Sequence, residues 1–263
     1  MSVNFGCSGV DVQKFLDYIL TRGTSIADWG QQSGDKEKDE FSTFLKEPFT
    51  KAIENGDIPP HARLESYWND FTDAGEVRSL NAVHLPGYDC TDLWDLTRAE
   101  IEGRQNVIWA VEALKKYTPG FEKARLRTMG ASLGTRESRK IIGDYNLSEH
   151  DVLNEARFSD SIGINPEFLD GNNIAIMPST GRYFHVPYGI ILPQKVENLL
   201  VAGRCVAGDK VSHAATRQMM CCTVTGQGAG VAAAVSVRDN VSCRRVDISK
   251  VQDALEKQGV RIK

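Results

Sequence analysis

At 263 residues the chain is long enough for one large domain or two small ones, with ample material for a core. Apolar residues make up 41% and charged residues 25%, an ordinary globular balance that excludes a disordered tail. A net charge of −4 and an isoelectric point near 5.8 give no electrostatic reason to expect nucleic acid or an anionic membrane as partner.

The first residues, SVNFGCSG, read as a short strand. VDVQKFLDYIL follows with helical spacing of Val12, Phe15, Leu16 and Ile19. No basic start and no apolar h-region mark MSVNFGCSGVDVQ as a signal peptide. The polar, glycine-dotted run TRGTSIADWGQQSGDKEKDE reads as a long surface loop. FSTFLKEPFTKAIENGD reads as a helix interrupted or restarted at Pro48 and stopped around Gly56, and EVRSLNAVHLPG as a strand entering a turn. DLTRAEIEGRQNVIWAVEALKKY is the strongest helix of the first half, with Ile101, Ile108, Val111 and Leu114 on one stripe and Lys115 and Lys116 favourably placed at its end.

Beyond it, KARLRTMGASLGTRESRKIIGDYNLS predicts a strand, a glycine turn and a polar cluster, and SEHDVL a helix capped by Ser148. IAIMP, RYFHVPYGIILP and NLLVAG are strand candidates; MMCCTVTGQGAGVAAAVSV and VDISKVQDALEKQG are helices. No run approaches the length of a bilayer span. Strands mixed irregularly with helices predict a mixed α/β (α+β) fold and not a regular βαβ array.

The six cysteines (Cys7, Cys90, Cys205, Cys221, Cys222, Cys243) form no C-x-x-C pair. At this size they read as reduced thiols in a cytoplasmic setting. Adjacent Cys221 and Cys222 point to different helix faces, which argues against a metal site, and none is expected.

VTGQGAGVAAA spells three glycines within five positions, close to a pyrophosphate-binding loop. Such a loop needs a strand before it and an acidic residue about 20 positions on. The preceding ATRQMMCCTVT is itself compatible with helix, and Asp247 lies beyond a polar break, so the spacing favours glycines inside a closely packed helix. Upstream, VENLLVAGRCVAGD places an apolar run, Leu199 to Ala202, before a break at Gly203. A strand tip facing the start of the HAATRQMM helix is a place for an anion or a polarised carbonyl.

The run VPYGIILPQKVENLLVAGRCVAGDKVSHAATRQMMCCTVTGQGAGVAAAVSV resembles the C-terminal signature of the FAD-dependent oxidoreductase family of glutathione-reductase-like flavoproteins. AVHLPGYDCTDLWDLTRAEIEGR, LGTRESRKIIGDYNLSEHDVL and SVNFGCSGVD resemble further stretches of it. The resemblance implies a substrate-domain-like region over 1–180 and the closing part of the FAD-binding region over 181–263. Family members open on a βαβ unit with G-x-G-x-x-G that holds the ADP half of FAD; no such unit is seen in the first residues here. The resemblance therefore implies the C-terminal half of the enzyme, with a separate chain or a longer gene product supplying the rest.

By the same resemblance Gly203, Arg204 and Cys205 meet the flavin, with a plain strand-to-loop turn as the alternative. Arg217 and Met219 would sit beside the flavin ring at a helix start, against a surface ion pair and core filling. Gly226, Gln227 and Gly230 would follow in that helix, against tight packing alone. On the substrate side, Arg136 and Arg139, grouped with Glu137, are expected to fork onto a carboxylate or carbonyl of a small-molecule substrate, or else to join an ion-pair network. Tyr188 would hydrogen-bond substrate or pack under the flavin, or be a surface strand tyrosine. His213, read as lying on a loop, is the candidate general base, ahead of His84 and His185; a solvated histidine is its alternative. The activity implied is hydride transfer from a small organic substrate to flavin N5. The rival readings are a non-catalytic interaction subunit, a truncated remnant that no longer binds FAD and, last, a hydrolase built on Cys205.

Overall fold

Val3, Phe5 and Cys7 alternate along the first strand and enter one core, which places β1 (Ser2–Ser8) inside an antiparallel sheet. The computed structural model describes residues 1–22, 43–65, 70–171, 174–176 and 181–263. Contacts divide the chain into two units, Met1–Arg136 and Glu137–Lys263, upstream of the 180/181 boundary that the sequence reading draws.

In the first unit, β2 (Asp70–Thr72), β3 (Glu76–His84) and β4 (Arg125–Met129) complete a four-stranded sheet of order β2-β3-β1-β4. Helix α1 (Val12–Leu20) starts at Asp11, whose side chain accepts from Lys14 N, and buries Phe15 and Ile19 as the spacing predicts. The polar run after it falls almost wholly outside the described residues. Helix α2 (Thr43–Glu54) runs through Pro48 without a break, against the expected interruption, and ends before Gly56.

Helix α3 (Leu93–Tyr117) follows an Asp92 cap and is the long helix expected, but its core stripe differs. Val111 and Leu114 of the expected stripe are buried, with Ala99, Gly103, Asn106, Val107, Ala110 and Ala113, whereas Ile101 and Ile108 are 68% and 45% exposed. The reason is distance. A Cβ on Gly103 would come within 2.6 Å of Val3 Cγ2, so the helix lies too close to the sheet for large residues on the central part of that face.

In the second unit, α4 (Glu149–Leu153) begins with the Ser148 cap, elaborated into a capping box with Asp151. Strand β5 (Ser161–Pro166) pairs antiparallel with β8 (Tyr183–Pro187), and β6 (Leu169–Gly171) with β7 (Ile174–Ile176). Three helices close the unit: α5 (Lys210–Thr216), α6 (Met219–Asp239) and α7 (Ile248–Lys257). Ile162, Phe184, Val186, Ile190, Ala215, Ala232, Val235, Val251 and Leu255 share its core. The fold is thus mixed α/β, as expected.

Two expectations are corrected here. NLLVAG forms no strand: Val201 N–H donates to Ile191 O, no neighbouring strand among the described residues pairs with the segment, and Leu199 is 45% exposed. Helix α6, with 21 residues and a mean hydropathy of 1.3 over its most apolar stretch, is long and apolar enough to cross a bilayer. Its buried side packs on β5 and α7, the use a globular core makes of such a helix.

Candidate functional site

Gly203 opens a short 3-10 turn, Gly203–Cys205, with φ at +81°, a left-handed conformation that favours glycine. Its N–H donates to Thr225 Oγ1 at 3.0 Å, and that hydroxyl reaches the Cys221 carbonyl one turn back along α6, also at 3.0 Å. The turn is thereby fastened to the first turns of α6. Nothing lies within 4 Å of the point where a Gly203 side chain would begin.

Helix α6 starts at Gln218 with no side-chain cap, and Met219 behind it is 86% exposed. An uncapped start leaves outward N–H groups and the positive end of the helix dipole. The three glycines lie within this helix, as the spacing favours. Only Gly228 is explained by packing, since a Cβ there would stand 2.6 Å from Ile162 Cδ1. Gly226 and Gly230 face open space. Each glycine in a helix interior costs about 0.8–1.0 kcal/mol relative to alanine, and nothing in the chain's own packing requires these two.

Arg204 and Cys205 are exposed on the turn, and both act electrostatically on Cys222 of α6. Burial raises the Cys222 pKa, the Arg204 charge lowers it, and Cys205 adds to the rise. Cys222 is therefore a neighbour of the turn that the sequence reading did not single out; its only signal was the Cys221-Cys222 pair. Cys221 itself is fully buried, and that burial drives its thiol pKa well up. Gln227 Nε2 donates to Gln258 Oε1 at 2.8 Å, linking α6 to the end of α7.

Other candidates sit elsewhere. Arg217 ends α5, and its guanidinium is held by Asp170, with Nε to the carbonyl at 2.9 Å and Nη2 to Oδ2 at 2.6 Å. At 13% side-chain exposure it is a largely buried tie between α5 and β6, not an exposed surface pair. His213 is corrected: it lies in the middle of α5 and is 3% exposed, because α5 and α6 are two helices broken at Gln218, where a loop and one helix were expected. Tyr188 is buried in a 3-10 turn after β8, with its hydroxyl donating to Cys243 O at 2.7 Å, so it is not the surface strand residue of the alternative reading.

In the first unit, Arg136 Nη2 lies 3.5 Å from both Asn81 Oδ1 and His84 Nε2, and these two are 3.3 Å apart. Asn81 and His84 come from the end of β3, so strand and loop together build a polar cluster. Asn81 gave no signal in sequence. Arg139 is exposed in the second unit, and Glu137 pairs with Lys140 at 3.1 Å. Among the described residues no group of three His, Cys, Asp or Glu side chains is placed to hold a metal.

A family profile described as FAD dependent oxidoreductase matches residues 3–255, nearly the whole chain. The chain belongs to that family: it is an FAD-dependent oxidoreductase, a flavoprotein, and FAD is its cofactor. Comparisons with curated proteins and with solved structures gave no match.

The residues at the Gly203 turn fit such a group. Gly203, Gly226 and Gly230 each have open space where a side chain would begin, the uncapped α6 start offers N–H donors, and Arg204 adds an exposed positive charge.

Proposed function

We propose that the chain oxidises a small organic substrate by hydride transfer, with the Gly203–Cys205 turn and the start of α6 holding the flavin end of FAD. The observation that carries this reading is the left-handed Gly203, fastened to Thr225 yet open on its side-chain face. When bound, FAD supplies the hydride acceptor. The α6 N-terminus and Arg204 favour negative charge at the bound group, which raises its tendency to accept electrons. Arg204 takes the role first read for Arg217, which is tied into the join between α5 and β6. Met219 and Met220 present exposed apolar area beside those donors.

On the substrate side, Arg136 with Asn81 and His84 would bind a carboxylate or carbonyl, the arginine orienting it and His84 holding or accepting a proton. His84 replaces His213 in this reading, because His213 is buried within a helix. Arg139, in the second unit, remains a separate candidate for binding a substrate charge.

The partner that this reading invokes is a polypeptide carrying the ADP-binding half of the FAD site. Residues 198–202 pair with no strand among the described residues, and Leu199 is exposed there, which supports an added strand at this segment. Six free cysteines support a reducing, cytoplasmic setting. The test is a titration of the purified chain with FAD, read by flavin absorbance, for wild type and Gly203→Val. Binding lost in the variant supports the assignment. Equal binding by both refutes it, and a colourless wild type favours a non-catalytic interaction subunit.

A further inference from the structure

The outer face of α3 exposes large apolar residues between its polar ones. Trp94 is 69% exposed, Ile101 68% and Ile108 45%, on the side opposite Ala99, Gly103, Ala110 and Leu114, which face the sheet. A helix with large apolar residues on both sides is normally covered on both. The outward residues are Trp94, Arg98, Ile101, Gln105, Ile108 and Glu112. Their spacings of 4, 3, 4, 3 and 4 are those of a seam between two packed helices. Of these, Arg98, Ile101, Gln105 and Ile108 line a groove of about 750 Å³ together with Tyr88, Trp109 and Met129.

The seam's charges say what covers it. Arg98 lies seven residues before Gln105 and Glu112 seven after. When two copies of α3 pack antiparallel about a two-fold axis at Gln105, Arg98 of each copy meets Glu112 of the other. Ile101 then lies within one residue's rise of the second copy's Ile108. Parallel packing would set Arg98 against Arg98. Among the described residues, Arg98 and Glu112 make exposed ion pairs with Asp95 and Lys115, which are weak and readily exchanged.

We infer that this face of α3 is a self-association surface, joining two copies of the chain through antiparallel α3 helices. The span from Trp94 to Glu112 is about 27 Å, and at helix width it covers roughly 300 Å² per copy. Both copies together bury roughly 600 Å², less than a stable interface buries, so the dimer is weak and concentration-dependent.

Sedimentation of the full chain, from low micromolar to hundreds of micromolar, tests this. The expected result is a reversible rise from 29.1 kDa to twice that mass. Ile101→Asp with Ile108→Asp should hold the chain monomeric with an unchanged far-ultraviolet spectrum, since both positions are exposed. Arg98→Glu and Glu112→Arg should each weaken the dimer about tenfold, and the two together should restore it. A wild-type chain monomeric throughout overturns the inference, including the case in which the face binds lipid vesicles or another protein instead. A dimer indifferent to the aspartates, or one that the paired reversal does not rescue, overturns it equally.

Discussion

Alanine substitutions at the three glycines of α6 should separate into two classes. Gly226→Ala and Gly230→Ala put a methyl into open space and regain helix propensity, so each should stabilise the second unit by about 0.8–1.0 kcal/mol. Gly228→Ala gains the same propensity but places its Cβ 2.6 Å from Ile162 Cδ1 and 3.1 Å from Ile162 Cβ. The second contact involves an atom fixed to the β5 backbone, so strand and helix must part. Overpacking of that kind costs about 1–3 kcal/mol, and the net effect should be a loss of up to about 2 kcal/mol. Urea unfolding followed by far-ultraviolet circular dichroism measures the difference. FAD titration should run the other way: weaker by about tenfold, or 1.4 kcal/mol, for the two stabilised variants, because the methyl occupies the face assigned to the flavin. If Gly226→Ala and Gly230→Ala destabilise as Gly228→Ala does, or bind FAD like wild type, the open face is not a flavin surface.

Three further outcomes are expected. Tyr188→Phe should lower stability by about 1–2 kcal/mol, since it leaves the buried Cys243 carbonyl without its donor, while FAD affinity stays unchanged; a large loss of affinity would return Tyr188 to the site. Asp209→Ala should cost about 2 kcal/mol in chemical denaturation, because its carboxylate accepts from Ser212 N at 2.7 Å and Glu149 N at 2.6 Å and so serves the starts of both α5 and α4. Burial pushes the Asp151 pKa up, but hydrogen bonds from Ser148 and Tyr145 outweigh it and hold the value below 3.8. Its stabilising contribution is therefore present above pH 3.8 and lost as pH falls through the lower folded value. Acid unfolding curves of wild type and Asp151→Asn should diverge above that window and converge below it; parallel curves would exclude this linkage.

Elements with strong local signals were legible in the sequence: β1, α1, the Ser148 cap, and α6 with its glycines inside the helix. What failed depended on neighbours. Ile101 and Ile108 follow a helical period, yet the sheet packs on the opposite face of α3, where Gly103 lies against Val3, and that choice of face is visible only once the sheet is in place. NLLVAG has strand composition but lacks a pairing strand among the described residues, and composition alone cannot supply one. His213 looked like a loop residue because the break at Gln218 between α5 and α6 has no glycine or proline to announce it. Of the candidate site, the Gly203 turn was readable as a break after an apolar run. The approach of Cys222 to it, and the assembly of Asn81, His84 and Arg136 from separate segments, are tertiary facts without a sequence signature.

Hydrogen exchange of the chain with and without FAD tests the assignment of the flavin end most directly. FAD should slow exchange at Gly203–Cys205 and over the first turn of α6, Met219–Cys222, with little change in α7. Protection confined to other segments, or none at saturating FAD, would contradict it.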